Sequence, residues 1–227
     1  MLSNIISAQK IMEDLFPFSS RVVCVDNLVQ PVDYLFPEEQ KIAYSFSAGR
    51  LKEFSIGRHC ARKALFEAGV SNFPVLKAHS GHPIWPENFV GSITHTPFII
   101  AAVVASKSAA QSIGIDIEEI SNFPTDMKDI ILRDDENYTF QEYGEYSNDV
   151  KLALFFSIKE SVYKAYNPIY KNFLDFKDVK LILNKSKRSF RAVIDSYSLG
   201  QNSEQELIEG FFSINSGRVY TSAWILK

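Results

Sequence analysis

The chain has 227 residues, with 24 Lys and Arg against 27 Asp and Glu, so its formal net charge is −3. This balance disfavours nucleic acid as the main partner, because a phosphate backbone selects for clustered basic side chains. Hydrophobic residues make up 46% of the chain, enough for one large domain or two small halves sharing a core. Two cysteines, Cys24 and Cys60, are too few for a disulfide framework and indicate reduced thiols in a cytoplasmic protein.

No segment of the sequence predicts export or membrane insertion. The N-terminus has no basic start followed by a long apolar run, so we expect no signal peptide. The longest apolar run, Phe98 to Ala105, is far shorter than the roughly 20 residues that a membrane-spanning helix needs. This run is better interpreted as a buried strand.

The first part of the chain predicts a strand, a long helical stretch and a hairpin. The β-branched run at 21–29 predicts the strand. Residues 38–68 follow a mostly helical pattern that allows a break at 45–49, and Gly69 would cap its end. After a turn-rich connector, the segments 90–96 and 98–106 predict the two strands of a hairpin.

The second part adds another strand, a long helix and a run of strands. Residues 112–120 predict the strand, 124–146 one or two short helices, and 149–167 a long helix that Pro168 would help to stop. Four strand-like segments follow, at 176–183, 190–195, 207–214 and 219–226. This order is typical of an α+β fold, with a seam near 106–111 between two halves that each run from a long helix into strands.

Acidic residues stand out in the strand at 112–120. Alternation along it places three isoleucines on one face and Gly114, Asp116 and Glu118 on the other. Carboxylates two residues apart lie roughly 6–7 Å apart at Cα and can converge on one divalent ion, and oxygen ligands suit Mg²⁺. The alternative is the solvated acidic face of an edge strand.

The long helix carries a second set of charges. Ser157, Glu160 and Lys164 share one of its faces. In one interpretation Glu160 and Lys164 form a surface i,i+4 pair, worth about 0.2–0.5 kcal/mol. In the other, Glu160 is a third oxygen ligand of a metal ion, while Lys159 and Lys164 contact phosphate oxygens.

The histidines allow two interpretations. Thr94 and His95 end a predicted strand, where a hydroxyl and an imidazole can bind phosphate, although a strand-end histidine is often purely structural. Alternatively, His79, His82, His95 and Cys60 would form the zinc site of a hydrolase. No second close ligand pair accompanies "HSGH", which argues against zinc.

Taken in order, "GSITH", "GIDIE" and "FSIKESVYKA" resemble the signature of 4′-phosphopantetheinyl transferases of the larger, surfactin-synthetase-activating type. The segments "GRLKEFSIGRHCARKAL" and "LKAHSGHPIWP" resemble the branch of enterobactin synthase component D, which also includes the mycobacterial enzymes. These motifs span about half of the chain. In combination they are specific, whereas "GIDIE" alone would not be.

The resemblance implies a transferase that moves the phosphopantetheine arm of coenzyme A onto a serine of an apo acyl or peptidyl carrier protein and releases 3′,5′-ADP. It implies dependence on Mg²⁺, with Mn²⁺ able to substitute. It also implies a pseudo-dimeric α+β fold, with similar halves at 1–108 and 109–227 and the coenzyme A cleft between them. We therefore expect a cytoplasmic monomer that serves siderophore, non-ribosomal peptide or polyketide synthesis.

The same resemblance assigns roles to individual positions. Asp116, Glu118 and Glu160 match the metal carboxylates, and Glu160, Lys164 and Lys159 match the catalytic groups around the pyrophosphate. Coenzyme A contacts are implied for Arg50, Arg58, Lys77, Thr94, His95, Lys159 and Lys164.

Several positions of the sequence allow more than one interpretation. Arg62 would either extend the basic face of Arg58 or pack over the core. His82 stands where the family often has Lys, and "ITH" replaces the commoner "ISH". The base for the carrier serine is either Glu160 or a water on the metal, and the carrier and its docking surface are not identified. The rival functions are a coenzyme A-binding module without activity and a carrier-binding scaffold.

Overall fold

The computed structural model describes residues 2–27, 35–121, 123–194 and 206–227. Over these ranges the protein has a mixed α+β structure with two sheets, which confirms the predicted fold class. Its helices are α1 (Leu2–Asp14), α2 (Pro37–Ala43), α3 (Ala48–Glu67), α4 (Lys128–Ile131), α5 (Asn137–Glu142) and α6 (Asn148–Tyr170). Its strands are β1 (Ser20–Asp26), β2 (Phe89–His95), β3 (Ile99–Ser106), β4 (Ser112–Glu119), β5 (Val179–Asn184), β6 (Ser189–Ile194), β7 (Glu206–Asn215) and β8 (Arg218–Ile225).

Each part of the chain builds one antiparallel sheet. The first sheet has the strand order β1-β3-β2, and the second has the order β4-β8-β7-β6-β5. The apolar run predicted to be a buried strand is β3, at the centre of the first sheet, and it pairs with β2 as the predicted hairpin. The predicted boundary at residue 108 falls in the connection between the two sheets.

A long helix covers each sheet. α3 packs Ile56, Cys60 and Ala64 into a core with side chains of β1 and β3. α6 packs Ile158 and Val162 into a second core with side chains of β5 to β8. Burial of these apolar faces, rather than helix propensity, holds both helices in place.

Capping residues define the ends of the long helices, and the end of α6 differs from the prediction. Ser47, within the predicted break at 45–49, caps α3, and Gly69, beyond its C-terminus, has a φ of +89° as a capping glycine requires. The prediction that Pro168 helps to stop α6 is wrong, because the helix continues to Tyr170. Pro168 has no N–H to donate to the carbonyl of Lys164, and the helix accommodates this loss of one bond for two further residues. Lys171, at φ 58°, closes the helix through its own N–H.

The two halves meet along β2 and β4. Ile113, Ile115 and Ile117 of β4 are fully buried in a core that includes residues of α1, β1 and β3. On β2, the hydroxyl of Ser92 accepts a hydrogen bond from the N–H of Ile115 at 3.2 Å. β4 therefore belongs to the second sheet while its isoleucines fill the core of the first half.

Cys24 and Cys60 are free and buried. Val29 and Asp195, the last residues of two predicted strands, lie outside the described residues, and α1 is an addition to the predicted elements. Among the described helices, none combines the length and the apolar character needed to cross a bilayer.

Candidate functional site

Gly114 lets β4 lie directly against α6. A Cβ atom at this position would overlap the carbonyl oxygen of Ser161 and would lie 2.7 Å from the backbone nitrogen of Ala165. Only glycine permits this approach. The close contact brings the carboxylates that follow on β4 beside the polar face of α6.

Asp116 is the most buried carboxylate of the site, with 3% of its surface exposed. Its Oδ1 accepts hydrogen bonds from the Thr94 hydroxyl at 3.0 Å and from the Lys164 ammonium at 2.7 Å. Its Oδ2 is buried and has no partner among the described atoms. The acidic face of β4 is therefore covered rather than solvated, and Lys164 is directed at the strand.

The surroundings of Glu118 and Glu160 disfavour their charged forms. Burial, and after it the charges of Asp116 and Glu160, together raise the pKa of Glu118 to about 8 against the opposing effect of Lys164. Burial, followed by the charge of Asp116, also raises the pKa of Glu160. If all three carboxylates were ionised, they would carry more negative charge than Lys164 offsets, and a bound cation would relieve this repulsion.

The donor set fits a hard divalent ion. All three groups offer oxygen, and the unpartnered Oδ2 of Asp116 is a free ligand atom. Across the described residues, no group of three or more His, Cys, Asp or Glu forms a ready-made metal cage. Mg²⁺ does not need one, because it usually takes one or two carboxylates and completes its shell with water and substrate phosphates.

The first half supplies the cationic side of the site. Arg50 reaches His95, with its Nη1 3.1 Å from Nε2, and lies 3.4 Å from Oε2 of Glu53. Arg58 stacks over the ring of Phe54 at 4.0 Å, and burial lowers its pKa to about 10. Even with this lowered pKa, the Arg58 guanidinium stays charged at neutral pH.

One cleft of about 380 Å³ collects these groups. It is lined from the first half by Arg50, Arg58, Thr94 and His95, and from the second half by Asp116, Glu118, Glu160 and Lys164. Basic and hydroxyl groups of α3 and β2 thus face carboxylates and a lysine of β4 and α6. Such a cleft can hold a polyanion together with a cation.

Lys159 does not reach this cleft. Its ammonium donates to Glu136 at 2.7 Å and to the carbonyl oxygens of Ile131 and Phe176 at 2.8 and 2.9 Å. These three bonds use its three protons, and the side chain is 1% exposed. The geometry gives Lys159 a structural role in place of the predicted phosphate contact.

Lys77 and Arg62 also lie outside the lining of the cleft. Lys77 pairs with Pro83 in an isolated β-bridge, in a loop that contributes Gly81 and Pro83 to the cleft wall. Arg62 donates to Glu39 at 2.7 Å, so it is anchored in the first half rather than extending the basic face of Arg58.

His82 joins the same loop to α6. Its Nδ1 lies 2.9 Å from the Ser80 hydroxyl and 3.2 Å from Oδ1 of Asn167. The zinc alternative finds no support among the described residues, which contain no such cluster. Cys60 is buried in the core, with its Sγ 3.7 Å from the carbonyl oxygen of Ile100.

Glu53 is the site residue that the sequence predictions missed. Its carboxylate lies beside both Arg50 and His95, 3.4 and 3.6 Å from their nitrogens. Its spacing of three residues from Arg50 on a helix was the available signal.

The fold and the cleft define a two-part α+β protein whose site is shared between its halves, and comparison with known proteins identifies the family. Residues 38–105 match the 4'-phosphopantetheinyl transferase N-terminal domain, and residues 112–214 match the 4'-phosphopantetheinyl transferase superfamily. The 4'-phosphopantetheinyl transferase PptT of Mycobacterium tuberculosis is 32% identical over 197 residues, which cover 82% of this chain and 84% of PptT.

Two further relatives are similar to a large part of this chain. The 4'-phosphopantetheinyl transferase Svp of Streptomyces mobaraensis is 36% identical over 163 residues, covering 71% of this chain and 66% of Svp. Enterobactin synthase component D of Salmonella typhimurium is 38% identical over 125 residues, covering 53% of this chain and 51% of that protein. The chain belongs to the 4′-phosphopantetheinyl transferase family of enzymes.

Proposed function

We propose that this protein transfers the 4′-phosphopantetheine arm of coenzyme A to a serine of an apo acyl or peptidyl carrier protein and releases 3′,5′-ADP. The observation that carries the proposal is the single cleft in which three carboxylates of the second half face the arginines, threonine and histidine of the first. The names of the relatives agree with this activity.

The basic side of the cleft would bind the nucleotide end of coenzyme A. Arg50, Arg58 and His95 come from adjacent elements of the first half and offer donors suited to phosphate oxygens. Lys77 is a further proposed contact, because its loop forms part of the cleft wall. The buried carboxylates opposite would then lie near the pyrophosphate.

A divalent cation, Mg²⁺ with Mn²⁺ able to substitute, would be held by Asp116, Glu118 and Glu160 and would neutralise charge on the pyrophosphate. The serine oxygen attacks the phosphorus that carries the pantetheine arm, and the bond from that phosphorus to 3′,5′-ADP breaks. Lys164, beside Asp116, offsets the charge that develops on the leaving group.

Glu160 would take the serine proton. Burial raises its pKa, which makes its carboxylate a better proton acceptor than an exposed glutamate. A carboxylate has two oxygens, so one can accept a proton while the other contacts a cation. Glu160 also borders a second cavity of about 280 Å³, lined by side chains such as Tyr163, Phe173 and Leu174, that suits the pantetheine arm.

One chain supplies both walls of the cleft, which supports a monomer as the active unit. The carriers we propose are those of siderophore or non-ribosomal peptide synthesis, or of polyketide synthesis, since one relative is named as a component of enterobactin synthase. The buried free thiols of Cys24 and Cys60 agree with a cytoplasmic location.

The test is the intact mass of apo peptidyl and acyl carrier domains after incubation with the protein, coenzyme A and Mg²⁺. We expect the carrier to gain the mass of one phosphopantetheine arm. The gain should be lost with Glu160→Gln and with EDTA, and should return when Mg²⁺ is added back. Glu145→Gln is the matched control, because Glu145 pairs with Lys185 on the surface, outside the cleft lining.

If the protein binds coenzyme A by calorimetry yet modifies no carrier, the alternative of a coenzyme A-binding module without activity replaces the proposal. Activity that survives in Glu160→Gln would remove the role assigned to this residue.

A further inference from the structure

A buried glutamate ties together three segments of the first half. Glu39 of α2 is fully buried, and its Oε2 accepts from the N–H of Phe36 at 2.9 Å and from Arg62 of α3 at 2.7 Å. Its Oε1 accepts from the N–H of Val75 at 2.9 Å. We call these four residues the first glutamate cluster.

The second half contains the same arrangement around Glu136, which is 1% exposed. Its Oε2 accepts from the N–H of Arg133 at 3.0 Å and from Lys159 of α6 at 2.7 Å. Its Oε1 accepts from the N–H of Leu181 at 2.8 Å. These four residues form the second glutamate cluster.

The two clusters match in detail. In each, one carboxylate oxygen accepts from an N–H three residues earlier and from a cation 23 residues later on the long helix. The other oxygen accepts from a backbone N–H beyond that helix. A buried carboxylate is costly unless it is paired and fully hydrogen-bonded, so each cluster fixes the long helix relative to the segments on either side of it.

Each cluster also adjoins one residue of the cleft. In the first half, the N–H of Val75 bonds to Glu39, and the carbonyl oxygen of Val75 accepts from Nε of Arg58 at 2.7 Å. Glu39 therefore fixes the acceptor that orients Arg58. In the second half, Lys159 immediately precedes Glu160, so the bond to Glu136 sets the rotation of α6 at the residue before Glu160.

We propose that Glu39 and Glu136 are positioning residues with different tasks. Glu39 acts through Val75 on Arg58 and so supports coenzyme A binding. Glu136 acts through Lys159 on Glu160 and so supports the transfer step. The inference rests on the function proposed above and adds to it a division of labour between the two halves.

The test compares Glu39→Gln with Glu136→Gln, since glutamine keeps the shape and removes the charge. Steady-state transfer to an apo carrier gives kcat and the KM for coenzyme A, and calorimetry with coenzyme A gives a Kd that does not depend on turnover. Glu39→Gln should raise KM and Kd about tenfold, with kcat within about twofold of wild type. Glu136→Gln should lower kcat about tenfold, with Kd within about twofold.

A variant that unfolds would be replaced by a double variant that removes both charges of its cluster, Glu39→Gln with Arg62→Met or Glu136→Gln with Lys159→Met. Replacing a whole buried pair is tolerated better than leaving one charge unpaired. Ile208→Ala, in β7, is the control for a general loss of stability, because Ile208 is buried and belongs to neither cluster.

A split between KM and kcat in the stated directions supports the proposal. Equal changes in both parameters, no change, or a pattern shared with Ile208→Ala would overturn it. If wild type modifies no carrier, the proposed function fails while the calorimetric arm still decides on Glu39, whose variant must weaken coenzyme A binding more than Glu136→Gln does. A wild type that also binds no coenzyme A removes both.

Discussion

The ammonium of Lys164 on α6 donates to Oδ1 of Asp116 on β4 at 2.7 Å. The Thr94 hydroxyl of β2 donates to the same oxygen and lies 3.3 Å from the same ammonium. One carboxylate oxygen thus links the long helix of the second half to strands of both halves. The ion pair of Lys164 and Asp116 therefore lies where α6, β4 and β2 meet.

Replacing Lys164 with methionine should impair transfer more than folding. The variant keeps most of the aliphatic stem but loses the charge that we propose offsets the leaving group, so we expect kcat to fall about 100-fold. Steady-state transfer of the phosphopantetheine arm measures this change. Lys10→Met is the matched control, because Lys10 pairs with Asp14 on the exposed face of α1. A Lys164 variant as active as this control would contradict the role of Lys164.

Gly114→Ala should destabilise the protein and disturb the site. The added Cβ meets backbone atoms of Ser161 and Ala165, which cannot move without shifting α6 from β4. We expect the free energy of unfolding to fall by about 1–3 kcal/mol, together with a loss of transfer activity. Chemical denaturation measures the first effect and the carrier assay the second.

Gly49→Ala is the control for that substitution. Its added Cβ would meet nothing within 4 Å, and Gly49 is the second residue of α3, where alanine loses less conformational entropy on folding than glycine does. We expect Gly49→Ala to unfold at a higher denaturant concentration than wild type. We expect Gly114→Ala to unfold at a lower one. Equal midpoints would show that β4 and α6 can separate easily.

Lys159→Ala should be strongly destabilising. It leaves Glu136 buried without its cation, and breaking a buried pair in this way costs about 3–5 kcal/mol of unfolding free energy. Lys180→Ala is the matched control, because the pair of Lys180 and Asp135 has side chains 44% and 42% exposed. Such a surface pair is worth about 0–1 kcal/mol. Urea unfolding distinguishes the two, and similar losses would mean that Lys159 is solvated in solution.

His82 and Asn167 should be energetically coupled. Their contact of 3.2 Å joins the loop at the cleft rim to α6, so His82→Ala and Asn167→Ala should each destabilise, and together by less than the sum. We expect a coupling of about 0.5–1.5 kcal/mol from a double-mutant cycle in urea. His79→Ala, in the same loop but exposed, is the control. Additive losses would show that His82 makes no bond across the cleft rim.

The two lysines of "FSIKESVYKA" show which contacts can be predicted from the sequence and which cannot. Helical spacing places Glu160 and Lys164 on one face, and both line the cleft. Lys159 does not share that face. The sequence interpretation directs it at phosphate oxygens, whereas its partners in the structure, Glu136 among them, lie 17 to 28 residues away along the chain. No local pattern can indicate such partners.

β4 likewise has one property that the sequence predicts and one that it does not. Alternation correctly separated its isoleucines from its carboxylates, because the period of a strand is fixed. Whether the carboxylate face is wet or covered depends on α6, which begins 29 residues after the end of β4 in the chain. The glycine that permits the contact was visible as a small residue, although its contact with the helix backbone was not.

The buried isoleucines of β4 have a consequence for motion. Ile113, Ile115 and Ile117 anchor the second sheet in the core of the first half, so swinging the halves apart would pull all three into water. Each such exposure costs about 1.5–3 kcal/mol. Separation of the two halves along β4 is therefore a rare event. Ligands meet a cleft whose two walls are already in place.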